Sequence, residues 1–265
     1  MSIRLIIIVL LYIPAMVWAQ DVSIPVRQIS KIADTPDRFE GRDTFEWQYT
    51  ITNNTLRKEK AGSYVEYQNV SLGDIEKVDI QNPLQVVVFY KKFNTVVFLD
   101  NQLNETSRIN FSNLPKPIVA DAAGLASQNR LWIFDVQTQR LGLYVSSQGD
   151  FKAITPPFTD PIKHYQSDYN YFYWTDATGR CFAANIYGNV NFLGNVPDFD
   201  KAQIVSPKQL LLQKGNVLSL YSLETGKGKP IEIIEKTFSG FHYSAQILSI
   251  FTAEEINQYK VTLPE

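Results

Sequence analysis

The chain has 265 residues, 25 basic and 27 acidic side chains, and a formal charge of −2. That near balance excludes the basic surface a nucleic-acid partner needs. A single cysteine, Cys181, and two histidines, His164 and His242, exclude a disulfide framework and a zinc site built from Cys and His.

The first expected element is a leader. Arg4 is the only charge in residues 1–19, the stretch from Leu5 is apolar, and it ends Val17-Trp18-Ala19 before Gln20. A basic start, an apolar run and a small-residue exit read as a secretory signal peptide over 1–19. The run is shorter than the roughly 20 residues of a spanning helix, and Pro14 interrupts it. The chain is therefore expected to be exported and periplasmic. No later stretch is apolar enough to span a bilayer, so no direct membrane insertion is expected after cleavage. Residues 20–265 are expected to form a single domain.

After the leader, "VSIPVRQISKI" (Val22–Ile32) reads as one strand without a hairpin of its own. Six hairpins follow. They are "FEWQYTITNNTLRKEKAG", "QVVVFYKKFNTVVFLDNQ", "RLWIFDVQTQRLGLYVSS", "YFYWTDATGRCFAANIYG", "QLLLQKGNVLSLYSLETG" and "ILSIFTAEEINQYKVTLP". Their turns centre on Asn53, Lys92, Gln137, Ala177, Gly215 and Glu254. The step is about 40 residues, the period of a four-stranded propeller blade. A second marker keeps the same period: "FSN" at Phe111, "FTD" at Phe158, "FDK" at Phe199 and "FSG" at Phe238.

The second hairpin shows why a blade is expected. Val86, Val88 and Tyr90 point to one side of the strand, Val87 and Phe89 to the other, and both sets are apolar. Such a strand must be buried on both faces, as it is between stacked blades. By the same alternation, Trp132 and Phe134 should face one neighbour and Leu131 and Ile133 the other. The last hairpin ends at Glu265 without an outer strand, and Val22–Ile32 fits that place. The expectation is an all-β propeller of six four-stranded blades, closed by the N-terminal strand. Because "TLRKEK" is polar for a strand, five blades are the alternative.

No catalytic signature stands out. Gly-x-Ser-x-Gly is absent, "ETGKGKP" lacks phosphate-loop spacing, and "PDFD" lacks the oxygen ligands of a calcium loop. No cofactor and no metal are expected. His164 and His242 fall on expected inner strands and line the channel or sit as satisfied core residues. Asp74, Asp79, Asp121, Asp160, Asp168 and Asp200 lie near blade entries, where two carboxylates from different blades would serve a hydrolase. Phe93 is the candidate anchor for a partner, since the repeat gives no structural reason for an aromatic at that turn. Lys91 and Lys92 beside it would steer an acidic partner. Phe158 and Phe199, in the connectors "PPFTDP" and "NVPDFD", are either wedges between blades or further partner contacts.

The blade pattern resembles secreted β-propellers, similar in plan to periplasmic propellers that act as assembly or scaffold subunits. The Ala-Gln end of the leader and "NPLQVVVFYKKFNTVVFLDNQLNE" look flavobacterial. The resemblance implies a protein that docks on an outer-membrane complex, such as the subunit that plugs the periplasmic side of the type IX secretion translocon. The expected function is a non-enzymatic protein-interaction module, an accessory, scaffold or plug subunit. The alternative is a carbohydrate or small-ligand binder, or a hydrolase, using the channel mouth.

Overall fold

The computed structural model describes residues 23–33 and 35–264. The signal peptide expected over 1–19, and Val22 at the head of the expected first strand, lie outside the described residues. Strand β1 (Arg27–Ile32) comes first. Blade I holds β2 (Arg38–Arg42), β3 (Gln48–Thr52), β4 (Thr55–Lys60) and β5 (Ser63–Tyr67). Blade II holds β6 (Lys77–Asp79), β7 (Val86–Tyr90), β8 (Thr95–Leu99) and β9 (Glu105–Asn110). Blade III holds β10 (Ala120–Ala126), β11 (Arg130–Asp135), β12 (Arg140–Val145) and β13 (Asp150–Ala153). Blade IV holds β14 (Ile162–Ser167), β15 (Tyr171–Asp176), β16 (Arg180–Asn185) and β17 (Val190–Asn195). Blade V holds β18 (Lys201–Ser206), β19 (Gln209–Lys214), β20 (Val217–Ser222) and β21 (Lys227–Pro230). The chain ends with β22 (Gly240–Ser244), β23 (Ile247–Phe251) and β24 (Ile256–Lys260).

Each blade is a four-stranded antiparallel meander, and there are six, so the five-blade alternative is set aside. "TLRKEK" is a strand despite its polarity. Leu56 and Lys58 on one side are buried, and Arg57 and Glu59 on the other side are partly exposed. Blade VI has the order β1-β24-β23-β22, so the N-terminal strand is its outer strand. The pairing runs from Arg27↔Lys260 to Ile32↔Ile256. Just before it, Ile24 bridges Ile231 of the connector into blade VI.

Apolar side chains fill five seams between neighbouring blades. In the II–III seam, Val87 and Phe89 meet Leu131 and Ile133. In the III–IV seam, Trp132 and Phe134 meet Phe172 and Trp174. Strand β11 therefore sends alternate side chains to opposite neighbours, as its sequence requires. Each fully buried side chain of this size stabilises by roughly 1.5–3 kcal/mol.

The VI–I seam is different. Phe39 stacks on Phe251 with centroids 5.0 Å apart and meets the edge of His242 at 5.3 Å. Alternation turns Thr50, Ser249 and Gln258 toward this seam, and all three are buried. Ser30 Oγ donates to Gln258 Oε1 at 2.7 Å, which ties β1 into the same polar layer. Polar side chains thus share this seam with the Phe39–Phe251 stack, and β1 closes the ring by pairing with β24 inside blade VI.

Candidate functional site

The meander puts two kinds of segment on one face, here the upper one: the hairpins between second and third strands, and the connectors from each outer strand to the next blade. The turn 91–94 belongs to this face. Lys91–Phe93 form one turn of 3₁₀ helix, and Asn94 closes it in the left-handed conformation, φ 50°. Asn94 Nδ2 donates to Ile118 O at 2.7 Å, and its Oδ1 accepts from Ala120 N at 2.9 Å. Asn54 does the same one blade earlier, donating to Gly73 O at 2.8 Å and accepting from Ile75 N at 2.7 Å. The residue equivalent to Asn54 is therefore Asn94, which shifts the sequence alignment of this turn by one. Phe93 precedes the clamp and is free of it.

The Phe93 ring is 48% exposed and rests on Gly73, where a Cβ would come within 3.1 Å of it. Lys91 forms an ion pair with Asp121 on one side. Lys92 Nζ donates to Asp74 Oδ2 at 2.5 Å on the other. That hydrogen bond, with the attraction of the charges, holds the Asp74 carboxyl below its usual range and raises the Lys92 ammonium. Two further apolar residues belong to the adjoining connectors, Val70 at 83% exposure and Val119 at 39%. The rim is an exposed aromatic between two ion pairs.

The other two named phenylalanines sit elsewhere. Phe199 is only 5% exposed and packs in the IV–V seam, with the Lys163 ammonium 4.3 Å above its ring. Phe158 is half-buried in the III–IV seam, stacked 4.2 Å from Trp174 and 4.9 Å from Phe134. It borders a cleft of about 160 Å³ with Pro156, Pro157, Phe182 and Val190. Both act as wedges between blades.

The axis is lined by the six inner strands, which brace one another with polar side chains. Gln166 donates to Ile204 O at 3.1 Å and accepts from Ile204 N at 2.9 Å. Gln203 treats Tyr243 in the same way, at 2.6 and 2.8 Å. Strand β10, "ADAAGLA", has almost no side-chain bulk, and a Cβ at Gly124 would collide with Ser167 Oγ. Across that low strand, blades II and IV touch directly. Lys77 Nζ donates to Tyr165 O at 3.0 Å, and Gln81 Nε2 to Ser167 O at 3.2 Å.

His164 and His242 are both half-buried beside the axis. Burial first, and the nearby Lys77 second, push His164 down to about 3. Burial with Arg42 pushes His242 down to about 4. Both stay neutral at pH 7 and pack edge-on against Phe199 and Phe39 respectively. The six named aspartates are separately engaged. Asp74, Asp121, Asp160 and Asp200 hold cations of the upper face. Asp168 accepts from Asn170 N and Tyr171 N in a turn. Asp79 alone lines the channel, and burial raises its carboxyl above the usual range. Among the described residues, no group of three His, Cys, Asp or Glu is placed to hold a metal ion. No helix there is long and apolar enough to cross a membrane.

Two channel residues were missed in the sequence, Arg42 and Lys77. The available signal was their place: basic side chains on inner strands, which a propeller directs to its axis.

No protein-family model matches the chain, and no curated protein matches it. Solved structures do. Virginiamycin B lyase from Staphylococcus aureus aligns with a TM-score of 0.56 at 11% identity, over 92% of this chain and 97% of the lyase. The β-propeller domain of Cps50 (Swd1) from Myceliophteria thermophila aligns with a TM-score of 0.60 at 8% identity, over 90% of this chain and 100% of that one. YCF48, solved with a D1 peptide bound, aligns with a TM-score of 0.53 at 11% identity, over 85% of this chain and 79% of its own. The chain is a β-propeller. The expectation of a non-enzymatic protein is corrected here: a lyase shares this architecture, so missing catalytic motifs do not exclude catalysis.

Proposed function

We propose that the protein is an exported interaction module that docks a protein partner on its upper face, with Phe93 as the anchor. The observation that carries this is the exposed Phe93 ring, supported on Gly73 and flanked by the Lys91–Asp121 and Lys92–Asp74 pairs. An aromatic held rigid and rimmed by charges is the arrangement of an interface hot spot. The ring loses little conformational freedom on binding, because the turn below it is already fixed by Asn94. YCF48 carries a bound peptide on the same architecture, which makes peptide or protein docking a role this scaffold accommodates. The leader and the flavobacterial look of the sequence make an outer-membrane complex, the type IX secretion translocon among them, the first partner class to test.

The test is affinity capture from solubilised envelopes with wild type, Phe93→Ala and a control, Val217→Ser. Val217 is an exposed apolar residue on the same face, at the start of β20 in blade V. The expected result is one partner recovered by wild type and by the control and depleted with Phe93→Ala. Equal recovery by all three proteins would contradict the reading.

A further inference from the structure

The lower mouth of the axial channel, opposite the turn 91–94, opens into a cavity of about 270 Å³. Its polar lining includes Arg42, Lys77, Asp79, Gln81, Gln166 and Ser167, and Val78 and Ile80 supply an apolar side. The two charge types on this wall are satisfied to different degrees. Asp79 is saturated: Oδ1 accepts from Gln81 N, and Oδ2 from Gln81 Nε2 and Leu125 N at 2.7–3.0 Å. Asp43 at the edge is equally engaged, by Phe45 N, Trp47 N and Tyr49 Oη, with Lys58 Nζ at 4.0 Å.

The cations are not. Arg42 makes one long hydrogen bond, 3.3 Å to Gln48 Oε1, and its Nε is buried without a partner. Lys77 has a single hydrogen-bond acceptor, the carbonyl of Tyr165, and its ammonium lies 3.9 Å above the Tyr165 ring. Neither has an ion pair among the described residues. Cations held away from water normally have a counter-ion, because the desolvation penalty is otherwise unrelieved. A narrow, low-dielectric mouth also focuses the field of such charges on whatever enters it.

We propose that this mouth binds a small organic anion, its carboxylate or phosphate held between Arg42 and Lys77. The acceptor-rich end of the ligand meets the free N–H groups of both cations. Its body lies along Val78 and Ile80. Ser167 and Gln81 stand within the same lining for its other polar groups. The site is at the opposite mouth from Phe93, and it stands or falls independently of partner docking.

The probes are inorganic phosphate and succinate, titrated calorimetrically at low ionic strength into the wild type, Arg42→Gln, Lys77→Gln and Lys208→Gln. The last removes a surface cation already paired with Glu224. The expected result is saturable binding of at least one anion, weakened at least tenfold by Arg42→Gln and by Lys77→Gln and unchanged by Lys208→Gln. Which probe binds decides between phosphate and carboxylate. A protection measurement on the wild type needs no variant: the anion should slow acetylation of Lys77 by an N-hydroxysuccinimide ester at least tenfold and leave Lys208 unaffected, as read by mass spectrometry. No saturable binding of either probe, binding that Lys208→Gln reduces equally, or acetylation of Lys77 that the bound anion does not slow would overturn the proposal.

Discussion

Phe199 and Phe93 both lie on upper-face segments between strands, and they do opposite things. Phe199 is driven into the IV–V seam, where its contacts hold two blades together. Phe93 stands on the rim, its ring half exposed over Gly73 of the preceding connector. The seams take up the repeated aromatics, so an aromatic outside the repeat is free for another use. Within the seams a second difference appears. Five are apolar, and the closing VI–I seam is mixed, with Thr50, Ser249 and Gln258 buried beside the Phe39–Phe251 stack. The strand from the far end of the chain, β1, pairs with β24 within blade VI before the chain enters blade I.

Removal of β1 has the largest expected effect on the ring. A chain starting at Asp37 should lose cooperative unfolding, since blade VI loses its outer strand and Ile256–Lys260 becomes an open edge. A single sharp transition near the wild-type midpoint would show that the seam holds without the strand. Next in size is Trp132→Ala in the III–IV seam, fully buried beside Phe172. It should cost roughly 3–5 kcal/mol in denaturant unfolding. A loss under about 1 kcal/mol would place β11 at a surface. Phe199→Ala should cost about 3 kcal/mol, since its ring is buried but also leaves Lys163 a solvent-facing alternative.

A smaller effect follows from the axis. His164 and His242 are neutral when folded, held at about 3 and about 4, against about 6.5 in an unfolded chain. The unfolded state therefore binds more protons between pH 6.5 and 4, and stability must fall as pH falls through that window. Roughly 1 kcal/mol or more should be lost between pH 7 and 5, the half-open channel trimming the full linkage value. A doubly substituted His164→Gln, His242→Gln protein should show a flatter pH profile. An unchanged slope would mean that other groups set it. The smallest stability effect belongs to the rim: Phe93→Ala should shift unfolding by no more than about 0.5 kcal/mol, as surface changes do.

The fold was largely legible because a propeller repeats its physics. Strands that are apolar on both faces, such as Val86–Tyr90, need two neighbours, and a lone strand at one end with a missing strand at the other points to closure. The turn 91–94 was misaligned by one residue because its 3₁₀ helix inserts bulk that a spacing count cannot see; only the clamps made by Asn54 and Asn94 fix the register. Phe158 and Phe199 could not be separated from Phe93 by composition, since burial depends on which neighbour lies across the seam. Arg42 and Lys77 escaped notice because a charged residue on a strand reads as solvent-facing until the strand is placed at the axis. Lys77 reaches blade IV only because β10 is built from Ala and Gly, a dependence between residues 43 or more positions apart.

The most direct test of the docking account is the affinity of the purified partner for wild type and for Phe93→Ala, measured beside their unfolding midpoints. The expected result is a loss of about 2 kcal/mol in binding, near thirtyfold in Kd, with the midpoint unchanged. Unchanged affinity with a lowered midpoint would contradict it and make Phe93 one more packing residue of the ring.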